Sequence, residues 1–391
     1  MEMTNQMYWF WISQVPEIGI KSIEKLYDYF GSIEKIFYTS EEELRNVDGI
    51  TKQQVSNLLK NKNMDKLIEQ YNKLREKDIY FVTKEDDEFP SSLRYIYDAP
   101  FFLYYKGKLP ESHKPSIAVI GARNCTNYGK EIALHLSKEL AKHQVQVISG
   151  LARGIDSYAH QGALDGGGET YGVIGCGVDN CYPSENKRLY EAILSTGGIL
   201  SEYPVGTPPL PFHFPMRNRI IAGLCDAILV VEARESSGTY ITVDRGLEQG
   251  KDIFAIPGRI GDSLSCGCNR LIQSGAKLIR NVEDILVEIN LKYDLPNEKT
   301  MKSCKKMYNP TTKKKGENNK NNLEVIKNCK IILEREEKIV YDRLSLEPKH
   351  LEILLSETNL TYQQLTVSLM SLELKNLITQ WISNYYVRNM E

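Results

Sequence analysis

Apolar residues recur at helical spacing over 22–30 and 55–74, and Pro or Gly punctuates the stretches between, so residues 1–75 are expected to be helical. The pattern changes after residue 76. Short apolar runs at 79–82 and 101–105 read as strands. From 115 to 290, apolar runs at 116–120, 146–149, 169–174, 198–201, 227–231 and 252–256 alternate with helical stretches at 129–142, 156–164, 187–194, 217–224 and 241–249. Such alternation predicts a parallel sheet covered on both faces, an α/β fold with a Rossmann-like core. Residues 294–322 break it. They are rich in Lys and Asn, including Lys313, Lys314 and Lys315, and read as a solvated linker. Residues 323–391 return to helix, with 363–377 as a helix of a helix–turn–helix and 378–387 as a two-stranded wing. The expected organisation is a helical domain over 1–75, a Rossmann-like domain over 76–293, the linker over 294–322 and a winged-helix-like domain over 323–391.

A chain of 391 residues with 41% apolar and 26% charged residues has room for two or three ordinary globular domains. The formal charge of −2 excludes a uniformly basic nucleic-acid coat but leaves room for a local basic patch. Residues 291–330 hold 11 basic against 4 acidic groups, whereas the last 61 residues hold 6 against 9. No apolar run approaches the roughly 18–20 residues of a membrane span. The apolar start at 7–12 lacks a basic flank and a cleavage site, so a cytoplasmic protein is expected. The eight cysteines include no CxxC pair, and no histidine lies at zinc spacing; reduced thiols and no bound metal are expected.

Two glycine turns interrupt the N-terminal helices, one from Val15 to Ile20 and one from Val47 to Ile50. Each could present backbone amides to a phosphate, as in a helix–hairpin–helix module, or could simply cap the helices of a bundle. Chemistry concentrates at the ends of the central strands. In an open α/β sheet the loops after the strands meet at one edge, where glycines expose amides and helix N-termini add partial positive charge. Arg123, Lys187, Arg217 and Arg219 lie in those loops, and guanidinium groups grip phosphate with paired hydrogen bonds. The expectation is a polyanion site at the carboxyl edge. The other reading is that the glycines make tight turns and the arginines form internal ion pairs. No GxGxxG, P-loop or GxSxG pattern is present. His160 reads as a packed or capping histidine. Asp156, Asp179, Glu202 and Glu232 read as carboxylates that orient loops and arginines.

The ordered combination SGLARGIDSYAHQGAL, YPSEN, SEYP, FPMRNRIIAGL and GCNRLI resembles the DNA-processing protein family known as DprA or Smf, over about 110–285. The resemblance implies an N-terminal sterile-alpha-motif-like domain, an extended Rossmann domain and a C-terminal winged helix. It further implies sequence-tolerant binding of single-stranded DNA, loading of the RecA recombinase in natural transformation, and a homodimer formed through the Rossmann domain. No catalysis, cofactor, metal or membrane is implied. Carried over by motif, the DNA site consists of Gly121, Ala122 and Arg123; Ser149, Gly150, Leu151 and Ala152; Asn186 and Lys187; Arg217, Asn218 and Arg219; and Ser237, Gly238 and Thr239. Arg123 and Arg217 are the foremost phosphate contacts. Phe212 or Phe214 could stack on a base or pack in the core. Two departures stand out: Pro211 where relatives often carry a basic residue, and Ala122 where Ser is frequent. The acidic tail argues against strong duplex binding by the wing and leaves a regulatory or partner-binding role open. Two alternatives share the fold. One is an enzyme cleaving nucleoside monophosphates, whose PGGxGTxxE signature survives here only as Gly238-Thr239, with Thr242 in the place of the glutamate. The other is a module sensing a phosphorylated ligand.

Overall fold

The computed structural model describes residues 3–293, 333–345, 348–375, 377–382 and 384–389. The chain divides into two compact units, Met1–Ile289 and Asn290–Glu391. The linker expected at 294–322 lies outside the described residues, as do 323–332 of the last domain.

The first unit opens with six helices: α1 (Asn5–Gln14), α2 (Ile20–Phe30), α3 (Ile33–Tyr38), α4 (Glu41–Arg45), α5 (Lys52–Lys60) and α6 (Met64–Glu76). Ser40 and Thr51 close capping boxes with Glu43 and Gln54 at the starts of α4 and α5. Gly19 N-caps α2, and Gly49 takes a φ of +76°. Side chains of α5 close the first turn, Gln54 donating to the Glu17 carbonyl and Asn57 to that of Pro16. The α1 side chains Trp9, Phe10 and Trp11 are buried in one cluster with Tyr104, Ile174, Val178 and Tyr190. The change at residue 75 is therefore a change of secondary structure and not a break in packing.

Two strands follow, β1 (Tyr80–Thr83) and β2 (Phe102–Gly107), and then the alternating body. Its first half is β3 (Ser116–Ile120), α7 (Asn127–Lys142), β4 (Gln146–Ser149), α8 (Ile155–Asp165), β5 (Thr170–Val173), α9 (Lys187–Thr196) and β6 (Gly198–Ser201). Its second half is α10 (His213–Leu224), β7 (Ala227–Val230), α11 (Thr239–Glu248), β8 (Asp252–Ala255), α12 (Cys266–Gln273), β9 (Lys277–Leu278) and α13 (Val282–Tyr293). The sheet order is β1-β2-β6-β5-β4-β3-β7-β8-β9. β1, β2 and β6 pair antiparallel, and all pairs from β6 to β9 are parallel. β3 to β7 are buried along their whole length, which is why they read as apolar runs without alternation. Helices α7 and α8 approach closely at Gly162, where a Cβ would lie 2.3 Å from the Leu134 carbonyl oxygen. Helices α12 and α13 and strand β9 were not among the expected elements; α12 and the edge strand β9 are short, whereas α13 runs for 12 residues.

The second unit is a winged helix: α14 (Arg335–Arg343), β10 (Lys349–His350), α15 (Leu351–Thr358), α16 (Tyr362–Leu374), β11 (Ile378–Ile382) and β12 (Tyr385–Arg388). The three strands pair antiparallel in the order β10-β12-β11. Asn359, in the left-handed region, turns the chain between α15 and α16, and Thr361 caps α16. Val340, Leu354, Leu365, Leu369, Leu372 and Ile378 form the core. The opposite face of α16 exposes Val367, Met370 and Leu374, and the helix contains no Lys or Arg.

Candidate nucleic-acid interface

Strands β4 to β6 build outward from one side of β3, and β7 to β9 from the other. The chain thus reverses direction of travel across the sheet between β3 and β7. The loops leaving these two strands diverge, and the crevice between them is where an α/β sheet takes its ligand. A cleft of about 650 Å³ occupies this position.

The loop after β3 brings Gly121, Ala122 and Arg123 to the cleft. Its path is set by Ala122, whose N–H donates to the Glu232 carbonyl while its own carbonyl accepts from Ile155 N. Gly154 supports it from below with a φ of +74°, and a Cβ there would meet the Ala122 and Arg123 carbonyl oxygens at 2.3 and 2.4 Å. Arg123 is solvent-exposed, with its guanidinium 5.7 Å from the centre of the Phe214 ring. Phe214 in turn lies 5.6 Å from the Tyr182 ring, and all three line the cleft. Phe212 is 64% exposed.

Beneath Arg123 lies a buried polar floor. Arg217 is 5% exposed, and one of its terminal nitrogens donates to the carbonyl oxygens of Gly150 (2.7 Å) and Val173. Asp156 accepts from the Gly150 and Ala152 amides. The two charges straddle Gly150, where a Cβ would lie 2.7 Å from both. Burial pushes the Arg217 guanidinium down to about 10 despite the attraction of Asp156. Burial raises the Asp156 carboxyl above its ordinary range, and Arg217 works against that rise. His160 is fully buried next to them. Its Nδ1 pairs with the Thr170 hydroxyl at 2.7 Å, and desolvation lowers its pKa to about 3. It is a packed neutral histidine, as its helical context suggested.

The far wall is the loop after β7. Ser237 Oγ donates to Thr239 Oγ1 and accepts from Thr239 N, shaping the turn into α11. Gly238 has open space around its α-carbon. Arg234 also lines this wall and is exposed.

Nine of the fifteen expected DNA-site residues line the cleft: Gly121, Ala122, Arg123, Ala152, Arg217, Asn218, Ser237, Gly238 and Thr239. The other six do not. Ser149 is buried with its hydroxyl on the Val119 carbonyl, Gly150 lies beneath Arg217, and Leu151 is buried in the left-handed region. Asn186 donates to the Leu151 carbonyl and to Ser157 Oγ, so it shapes the β4 loop from outside. Lys187 is exposed at the start of α9, away from the cleft lining.

Arg219 requires the largest correction. It is wholly buried and pairs with Glu202 at 2.6 Å and Asp98 at 3.5 Å, on the opposite face of α10. Residues two positions apart on a helix are separated by about 200°, so Arg217 and Arg219 cannot both face one cleft. Two further carboxylates orient loops: buried Glu232 holds Thr126 through its amide and hydroxyl, and exposed Asp179 accepts from the Gly206 amide.

The family model for DNA recombination-mediator protein A matches residues 80–290. The chain belongs to this family. A second model, for the DprA winged helix domain, matches residues 330–381. The DNA processing protein DprA of Streptococcus pneumoniae is 49% identical over 203 residues, which is 52% of this chain and 72% of that protein. The Bacillus subtilis DprA is 41% identical over 226 residues, covering 57% of this chain and 76% of its own length. The X-ray structure of the S. pneumoniae protein superposes with a TM-score of 0.64 at 37% identity, over 74% of this chain and 99% of that one. Among the described residues no helix is long and apolar enough to cross a membrane, and no group of His, Cys, Asp and Glu could hold a metal ion.

The cleft lining also holds residues outside the expected set, among them Arg234, Ser236, Tyr182 and Asn124. Tyr182 stood in plain view before the YPSEN proline. Arg234 carried no signal beyond its position four residues past a strand end.

Proposed function

We propose that this chain binds single-stranded DNA without regard to sequence in the β3–β7 cleft, does so without chemistry on the strand, and passes the strand to a RecA recombinase. The observation that carries the reading is the composition of the cleft. Two exposed guanidinium groups, Arg123 and Arg234, share it with a glycine-bearing loop on each wall and with the rings of Tyr182 and Phe214. Cations with open amides suit phosphodiesters of any sequence, and aromatic faces suit unpaired bases of any identity. A duplex hides its base faces and gains nothing from such rings. The family's description as a recombination mediator supports the hand-over to RecA. A homodimer through the Rossmann-like unit and action in the reducing cytoplasm belong to the same proposal; the six free thiols among the described residues support the latter.

A gel-shift series with single- and double-stranded oligonucleotides, with and without a recombinase, tests the reading. Single strands should shift at lower protein concentration than duplexes, and the protein should speed recombinase filament formation on a covered strand. Equal shifts for both forms would contradict the single-strand claim. Unchanged filament formation would remove the loading claim. Release of a base or ribose phosphate from nucleotides would favour the enzyme reading.

A further inference from the structure

Of the three arginines lining the cleft, Arg217 is buried and already committed to two carbonyl groups, in the field of Asp156. The charge offered to a ligand therefore comes from Arg123 on the β3 wall and Arg234 on the β7 wall. Among the described residues Arg234 makes no hydrogen bond or ion pair, although a glutamate follows it directly in the chain. That glutamate, Glu235, is held by Arg270 of α12 at 3.3 Å. Arg270 is not part of the cleft lining.

The backbone under Arg234 is fixed. Ala233 N donates to the Leu264 carbonyl at 2.8 Å, and the Ala233 carbonyl accepts from Gly267 N at 2.9 Å. A Cβ at Gly267 would lie 2.5 Å from the Ala233 carbonyl oxygen and 2.8 Å from that of Arg234, so only glycine allows α12 to dock there. The same docking places Arg270 where it can take Glu235. Arg234 thus stands on a rigid base, with its own neighbouring acid drawn away and the Ser236 hydroxyl beside it in the cleft lining, the Ser237 hydroxyl being taken up by Thr239.

We propose that Arg234, with Ser236, forms a second phosphate subsite facing Arg123, so that the cleft grips two phosphodiesters of one strand and selects polynucleotides over mononucleotides. Arg270 is a positioning residue in this scheme, acting through Glu235. The inference rests on the single-strand reading and extends it from a charged cleft to a two-point grip.

Fluorescence anisotropy with labelled oligothymidylate, competed by thymidine monophosphate, separates the two. Arg234→Ala should weaken oligonucleotide binding by about five- to tenfold and reduce the slope of log affinity against log salt by about 0.7. Competition by the monophosphate should stay unchanged, because one phosphate still reaches Arg123. Arg270→Ala should weaken oligonucleotide binding by about two- to threefold as Glu235 turns to Arg234, and adding Glu235→Gln should restore it. Restoration is not expected of a merely structural role for Arg270. If Arg234→Ala binds oligonucleotide like the wild type while Arg123→Ala does not, the second subsite is wrong and the single-strand reading stands. Equal losses for oligonucleotide and monophosphate would also overturn it, since a single phosphate site would then explain both. If the unaltered protein fails to bind oligothymidylate, the underlying reading falls first.

Discussion

The cleft between β3 and β7 and the outer face of α16 belong to two folds that both commonly meet nucleic acid, yet they are built in opposite ways. The cleft sets exposed Arg123 and Arg234 above a buried floor of Arg217, Asp156 and His160. The face of α16, the helix that reads the groove in many winged helices, carries Val367, Met370 and Leu374 and no cation. A fold with a DNA-binding reputation is not a DNA-binding surface. What counts is whether cations are available to phosphate and whether the structure beneath holds them in place.

The floor should show the largest effect. Arg217→Met leaves Asp156 buried without its counter-charge and should destabilise the first unit by about 3–5 kcal/mol in urea unfolding, with single-strand binding lost alongside. Adding Asp156→Asn should recover part of that loss. A variant as stable as the wild type would mean that Arg217 is not structural and would blur the distinction between floor and rim.

Arg123→Ala leaves the fold intact, because the side chain is exposed. It should weaken single-strand binding about tenfold, or about 1.4 kcal/mol, equally for all sequences. A loss confined to certain sequences would point to base readout instead of a phosphate contact.

The floor also predicts a pH response. His160 has a folded pKa of about 3 against an ordinary 6.5, so it stays neutral in the folded chain while the unfolded chain takes up a proton below 6.5. Its contribution is fully present above 6.5 and is lost as pH falls toward 3. Between pH 7.5 and 5.5 the loss should be about 1.4 kcal/mol. His160→Gln, followed by urea titration at both pH values, should flatten that dependence. An unchanged dependence would assign it to other groups.

The smallest effect is expected on α16. Val367→Ser with Met370→Ser should leave the affinity of the full chain for single strands within about twofold, since the face offers no phosphate contact. A large loss would place the winged helix in the DNA path and end the contrast between the two surfaces.

The strand–helix alternation was legible because β3 to β7 are buried on both faces and therefore form uninterrupted apolar runs, several with ends that match the expected ones residue for residue. The cleft's position followed from the same alternation. What the residues alone left ambiguous was which polar side chains face outward. Arg123, Arg217 and Arg219 look alike in a loop motif, yet one is exposed, one props up the floor and one is locked to Glu202 and Asp98. The spacing of two between Arg217 and Arg219 already implied opposite faces of the helix expected over 217–224. Glu202 and Asp98 come from distant segments, so no local pattern could reveal their pairing with Arg219. Nor did sequence show that the N-terminal helices share a core with Tyr104 and Tyr190, because a shared core depends on how apolar faces meet and not on where they lie in the chain.

The most direct test is the salt dependence of single-strand affinity for the unaltered protein. Two phosphate contacts, from Arg123 and Arg234, predict that log affinity falls against log salt with a slope of at least about −1.4, with duplex binding weaker throughout. An affinity indifferent to salt, or a duplex bound as tightly as a single strand, would contradict a cleft that works by presenting unpaired cations to an unpaired strand.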